Sequence, residues 1–247
     1  MRKFDYSFLD NGLLPANLVN LTSNITALKT MAGVRKDEYM QIFTKLEAVA
    51  KIQSIKSSNA IEGIVTSDER IAEIVRQNSA PLNHNEAEIA GYRDALDEIH
   101  RGYEYIDFRQ SDILRLHETM MSFAGYEYGG QYKTDDNVIL EIDNDGNRRV
   151  RFRPIPASET AEAMEQLELA YMDARSNSNI NQLLLIPWSF LIFCVYTRSV
   201  TAMAECRVCY LCFCYIKTDL TQVNMYRLKN RSTIINFIIM KIYGNLL

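Results

Sequence analysis

Along the first third of the chain, apolar residues recur every three or four positions, the spacing of a single helix face. Over residues 13 to 31 they are Leu14, Leu18, Leu21, Ile25 and Leu28, which predicts a first helix interrupted by Gly33. A second helix is predicted from about Asp37 to Lys56 on Ile42, Leu46, Val49, Ile52 and Ile55. The polar stretch Ser57-Ser58-Asn59 follows, then Ala60-Ile61-Glu62-Gly63. Thr66-Ser67-Asp68-Glu69 has the composition of an N-cap and first turn, placing a helix over Glu69 to Gln77. Beyond Pro81, helices are predicted over Asn85 to Ile99 and Asp107 to Phe123, the latter on Ile113, Leu114, Leu116 and Met120.

The period then changes from helical to alternating. Gly129 to Lys133 reads as loop, and Val138 to Ile142 and Arg149 to Phe152 as two short strands. Asn144-Asp145-Gly146-Asn147 between them is a hairpin turn signal. Pro154 and Pro156 end the second strand, and the helical period returns over Ala157 to Met172. A last apolar helix is predicted from Asn181 to about Tyr196, with Pro187 as a point of interruption. The pattern is that of an all-α protein with one protruding β-hairpin.

Charge divides the chain. Of 27 Lys+Arg and 31 Asp+Glu, seven and two respectively fall in Ser189 to Leu247, so this tail carries +5 and the preceding body -9. An acidic body argues against nucleic acid as a partner. The Met1-Arg2-Lys3-Phe4-Asp5-Tyr6 start leads into no apolar segment, and the longest largely apolar run, Leu183 to Tyr196, has 14 residues. A bilayer crossing takes about 20, so no membrane partner and a cytoplasmic location are expected. All five cysteines, Cys194, Cys206, Cys209, Cys212 and Cys214, lie in the last quarter. Their spacing alone admits zinc or an iron–sulfur cluster; a different origin is given below. His84, His100 and His117 have no ligand-like spacing and read as surface or core histidines.

Several segments together resemble the Fic/Fido family, in the subgroup with an inhibitory helix ahead of the catalytic core. Ser58-Asn59-Ala60-Ile61-Glu62-Gly63 is similar to the inhibitory signature of Ser or Thr, three residues, Glu, then Gly or Asn. Asn85 to Gly91 resembles the opening of the first core helix, and Leu114-Arg115-Leu116-His117 the next. Gly130-Gln131-Tyr132-Lys133 and Asn137-Val138-Ile139 resemble the approach to the target-docking flap, Phe152 to Pro156 its return strand, and Leu184 to Pro187 the helix that delivers the catalytic loop. The resemblance covers residues 10 to 188. It implies an all-α, Fic/Fido-type helical core with one β-hairpin flap. The expected organisation is an N-terminal helical region (1–80), a first part of the core (81–195) containing the flap (137–153), and a tail (196–247).

The loop itself, His-Pro-Phe-x-[Asp/Glu]-Gly-Asn-Gly-Arg-x-x-Arg in the family, is absent. Tyr196 to Val208 shows no match to it, no histidine follows His117, and no glycine lies between Gly146 and Gly244. The genetic code locates it. Joining the last base of each codon to the first two of the next, Tyr196-Thr197 allows His, Thr197-Arg198 Pro and Arg198-Ser199 Phe. Successive junctions allow Ser, Asp, Gly and Asn; Met203-Ala204 forces Gly; the following four allow Arg-Met-Ser-Arg. The shifted frame is therefore compatible with the whole motif, and upstream it allows Ser189 to Tyr196 to read Ile-Leu-Asp-Phe-Leu-Cys-Ile. A one-base deletion near Trp188-Ser189 accounts for both halves. It also recasts the cysteine cluster as a Leu-rich segment read one frame over, with no metal site.

What the resemblance implies follows from the motif. In an intact relative the loop histidine is the general base on a Ser, Thr or Tyr hydroxyl of a target protein, which attacks the α-phosphorus of ATP held with Mg2+. Asp, glycines and arginines of the loop hold metal and phosphates. None of these has a counterpart here, so no catalytic residue is assigned, and the chain is expected to be catalytically defective. Glu62, with Ser58 four residues before it, would hold an intact relative off by engaging the loop's second arginine; Gly63 completes that motif. Asn137, Val138 and Ile139 open the flap that would pair with the target strand. A homo-oligomer is open. The alternatives are a non-catalytic helical binding module and an enzyme using another nucleotide or a phosphocholine donor.

Overall fold

The computed structural model describes residues 5–11, 15–61, 63–102, 104–125, 127–136, 138–142 and 147–197. Within them run α1 (Phe8–Asn11), α2 (Ala16–Glu38), α3 (Met40–Ile61), α4 (Asp68–Gln77), α5 (His84–Gly102) and α6 (Gln110–Met121). The strands β1 (Ile139–Ile142) and β2 (Arg148–Phe152) follow, then a 3-10 turn (Ala157–Glu159), α7 (Thr160–Ser176) and α8 (Gln182–Thr197). This is the all-α architecture with one hairpin that the hydrophobic pattern predicts.

Among the boundaries that differ from expectation, three bear on the reading of the sequence. Gly33 does not interrupt the first helix: α2 continues to Glu38 and the break falls at Tyr39. An interior glycine costs about 1 kcal/mol relative to alanine, which a helix of 23 residues tolerates. α3 does not stop at Lys56 but continues through Ser57, Ser58 and Asn59 to Ile61. Those residues are poor helix formers, yet Ser58 and Asn59 are buried, and tertiary packing overrides local preference. Pro187 does not interrupt α8, which runs through it from Gln182 to Thr197.

Ser67 caps α4 as read from the sequence, its hydroxyl accepting from the Arg70 N–H at 3.2 Å. The start of α6 is capped from elsewhere in the fold. Arg109 makes no side-chain cap, and Glu168 on α7 accepts from the Gln110 N–H at 2.9 Å. A carboxylate there also meets the positive end of the helix dipole.

The core is one cluster that α3 to α8 all enter, with Ile55, Ile74, Tyr92, Leu96, Phe108, Met120, Leu167, Leu185 and Phe193 among its buried members. Its tightest point is the crossing of α5 and α6. A Cβ built on Gly91 would stand 1.9 Å from the carbonyl oxygen of Met120, an approach only glycine permits. By contrast, Met40, Ile42 and Val49 in the first half of α3 are exposed. The hairpin is antiparallel, pairing Leu140 with Val150, Glu141 with Arg149 and Ile142 with Arg148, with a register shift between Ile139 and Leu140.

Replacing Gly91 by alanine forces backbone apart at that crossing. The substitution is expected to destabilise by at least the ~1–3 kcal/mol of an overpacked core. Gly102→Ala, whose new atom meets only the Ile106 side chain, should cost less. Urea unfolding of the two variants beside the parent measures the difference, and equal midpoints for Gly91→Ala and the parent would contradict the close approach.

Candidate functional site

The end of α3 carries the segment singled out in the sequence. The Ile64 N–H donates to the Asn59 carbonyl at 3.0 Å and the Gly63 N–H to the Ala60 carbonyl at 3.2 Å. This pair of bonds closes a helix when the residue after its end takes a left-handed conformation; Gly63 does so at φ 80°. Nothing lies within 4 Å of a Cβ built there, so glycine is required by backbone conformation and not by space. The same demand explains a signature that admits Gly or Asn at this position, the two residues most at ease in that region.

Ser58 is buried in the last turn of α3, and the Tyr92 hydroxyl of α5 donates to its Oγ at 3.1 Å. Asn59 beside it is also buried; its Nδ2 donates to the Ile55 carbonyl at 2.8 Å, while Oδ1 has no partner among the described residues. Glu62 lies outside the described residues. In sequence it sits between the last helical residue and Gly63. A helix C-terminus favours cations and disfavours anions, so a glutamate at that place does not serve the helix.

Ion pairs fasten this helix and α4 to the core. Lys51 pairs with Asp97 of α5, and Lys56 with Asp68 at 2.5 Å in the first turn of α4. Glu86 at the start of α5 is buried. It accepts from Arg70 Nη2 at 2.7 Å, Arg70 Nε at 3.2 Å, the Leu82 N–H at 2.9 Å and the Thr66 hydroxyl at 3.1 Å. The Arg70 bonds and then the Leu82 amide hold its carboxyl down at about 2, against the opposing effect of burial. Arg70 also pairs with Glu73 and is itself raised. Buried Arg93 of α5 donates to the Ile74 carbonyl at 2.8 Å, satisfying one of the free carbonyls that end α4.

The loop ahead of the hairpin is set by α6. The Gly130 N–H donates to Nδ1 of buried His117 at 3.2 Å, so the imidazole proton belongs on Nε2, which has no partner among the described residues. Burial lowers the His117 pKa. Gly129 and Gly130 lie against Met121, Glu118 and Leu114 of the same helix. Tyr132 donates to Gln110 Oε1 at 2.7 Å, and burial, then the Glu168 charge, pushes its hydroxyl up to about 12. Lys133 donates to the Ile155 carbonyl at 2.5 Å, tying the two sides of the hairpin base. Of the flap residues, Val138 is exposed, Ile139 opposes Phe152 at the start of β1, and Asn137 lies outside the described residues. A two-stranded ribbon leaves both outer edges open to another strand.

Ser58 and Gly63 thus meet at one helix end, and the flap is reached through the His117–Gly130 contact. The sequence reading missed Tyr92, thirty-four residues from its partner, because no short-range pattern marks a contact of that separation. It also missed Arg70 as the partner of Glu86; the charges were visible, their pairing was not. His84 is exposed and pairs with Glu88 at 3.0 Å, the surface role expected of it. Most of the segment expected to carry the loop, together with Cys206 to Cys214, lies outside the described residues. Among those described, no group of three or more His, Cys, Asp or Glu is placed to hold a metal. No helix among the described residues is long and apolar enough to cross a membrane.

Two solved structures have this architecture. A Fic family protein from Desulfovibrio desulfuricans G20 superposes with a TM-score of 0.62 at 13% identity, over 92% of this chain and 69% of that one. A Fic domain containing signaling protein from Bacteroides thetaiotaomicron VPI-5482 superposes with a TM-score of 0.63 at 14% identity, over 85% and 82%. No family model and no curated relative matches the chain. The fold is the all-α Fic/Fido fold, as the sequence resemblance implies; the inhibitory role of Glu62 and the displaced frame are taken up below as proposals.

The shifted acids make stability depend on pH in two windows. His117 is held below its ordinary 6.5, so the unfolded chain binds the extra proton first and stability falls as pH drops below 6.5. Glu86 moves from 4.5 to about 2, so its contribution is present above 4.5 and is lost between 4.5 and 2. Melting temperature against pH should fall in both windows. His117→Gln should flatten the upper one and Arg70→Met should weaken the lower; an unchanged profile in either variant contradicts its assignment.

Proposed function

We propose that this chain derives from a Fic-type protein adenylyltransferase, an enzyme that moves AMP from ATP to a hydroxyl of a target protein, and that it is inactive as written. The observation that carries the reading is a discontinuity. The sequence resemblance to the family runs to residue 188, while the codon junctions from Tyr196 to Val208 are compatible with the family's loop one base out of frame. Ser189 is fully buried in the apolar helix α8, its hydroxyl turned back onto the Ile186 carbonyl at 2.9 Å, where the shifted frame opens with Ile.

On this reading the segment Ser58 to Gly63 is an inhibitory helix end whose arginine partner is missing, and the hairpin is a docking site for a strand of the target protein. The second reading, a non-catalytic binding protein, draws on the hairpin: Leu140 and Val150, opposite one another, are exposed on a ribbon with open edges.

The test compares the 247-residue chain with a version in which the frame is restored after Trp188, each incubated with radiolabelled ATP, Mg2+ and a cell extract. Parallel incubations contain labelled UTP and CDP-choline. Labelling of protein from ATP by the restored version alone is expected. Labelling from another donor would replace AMP as the group moved, and none from any donor, even with Glu62→Gly, would favour the binding module.

Stability gives a separate readout. Returning apolar residues to a core helix adds side chains worth ~1.5–3 kcal/mol each when fully buried, against a total of about 5–15 kcal/mol for a domain. The restored version should melt higher and stay soluble longer. Identical cooperative melts would contradict the reading of the tail as misplaced sequence.

A further inference from the structure

Residues 5–11 make a segment too short to hold helical form alone. α1 is a single turn of four residues, whereas an isolated helix needs about 12–15 to be even marginally stable, so docking keeps it in place. Its start is set locally: Asp5 Oδ1 accepts from the Ser7 N–H at 3.0 Å and from the Ser7 hydroxyl at 2.6 Å. The Leu9 N–H then closes the turn onto the Tyr6 carbonyl at 2.9 Å. Tyr6 and Leu9 are buried and belong to the core cluster. From the same segment Phe8 meets the ring of Trp188 on α8 edge-on, with centroids 5.0 Å apart. Asp10 accepts from Nδ2 of Asn177, the residue that ends α7, at 3.2 Å.

The last two contacts fall on the two sides of one corner. Asn177 organises the α7–α8 connection: its Oδ1 accepts from the Asn179 N–H at 2.9 Å and its carbonyl from the Ile180 N–H at 3.1 Å. Trp188 lies in the second turn of α8. We propose that residues 5–11 are a strap seated across the α7–α8 corner, holding α8 onto the body from outside the helix pair. Burial of Tyr6 and Leu9 supplies the hold, while the edge-on ring pair and the Asp10–Asn177 bond fix where the strap sits. Phe8 and Trp188 stay 43% and 38% exposed, so the outer side of the seat faces water. A segment of this kind opens before the locked crossing of α5 and α6 does. The consequence for activity rests on the proposed reading of α8 as the helix that leads into the catalytic loop. With the strap lifted, α8 loses a support and the loop its fixed position.

Trp188 is the only tryptophan in the sequence, so its fluorescence reads the seat directly. The full chain and the frame-restored version are each compared with Phe8→Ala, which removes a half-exposed ring, and with Leu9→Ala, which removes a buried side chain. In both variants acrylamide quenching of Trp188 should increase and its emission move to the red. Hydrogen–deuterium exchange over residues 177–189 should rise, by about tenfold or more in Leu9→Ala, the scale of losing a buried leucine side chain, with α5 and α6 unchanged. Unaltered fluorescence and unaltered exchange over 177–189 in both variants overturn the strap. Equal loss of protection in α5 and α6 overturns it too, since the segment would then be an inseparable part of the core. In the restored version, Leu9→Ala should cut labelling several-fold at saturating ATP. Labelling unchanged there while exchange rises overturns the link to activity alone. No labelling by the restored parent overturns the proposed function, while fluorescence and exchange still decide the strap.

Discussion

The contact between Gly91 and the Met120 carbonyl is the constraint from which the rest of the arrangement follows. It brings α5 and α6 to a backbone-to-backbone approach that any side chain would prevent. With those helices locked, α5 becomes a rigid bar carrying four separate fastenings. Glu86 at one end takes Arg70 and the loop before α5; Tyr92 takes Ser58; Arg93 closes the end of α4; Asp97 takes Lys51. α6 in turn supports the loop to the hairpin, because His117, Glu118 and Met121 are where Gly129 and Gly130 rest. The end of α3 and the loop to the hairpin are therefore each held by one of the two helices of this crossing.

Electrostatics divides the work between fixing and poising. The Arg70–Glu86 pair is fixing: a buried carboxylate is stable only when its lone pairs are met, and here a guanidinium, an amide and a hydroxyl meet them. Its strongly lowered pKa is a measure of that satisfaction. The end of α3 differs. The sequence puts a carboxylate just past a helix C-terminus, the wrong end of the dipole for a negative charge. Such a placement makes sense when a cation arrives from another segment.

Periodicity was enough to read the helices, the hairpin and the Ser67 cap, because those depend on neighbours a few residues away. It failed where distant parts decide. The continuation of α3 past Lys56 depends on burial of Ser58 and Asn59 against the core, which no local preference reports. The cap on α6 comes from Glu168, fifty-eight residues on from Gln110. Gly91 was visible as a glycine inside an amphipathic run, a signal of close packing, but its partner was not. Of the site, Ser58 and Gly63 could be read as a motif, whereas Tyr92, which gives the serine its structural role, could not.

The central claim is that the fold and the sequence part company at one point in the gene. Sequencing the coding DNA from the codon of Ile186 through that of Tyr210 tests it most directly. The account predicts that the bases spanning Tyr196 to Val208, read one base early, give His-Pro-Phe-Ser-Asp-Gly-Asn-Gly-Arg-Met-Ser-Arg without a stop. Codons whose junctions spell no such loop in any frame would contradict it.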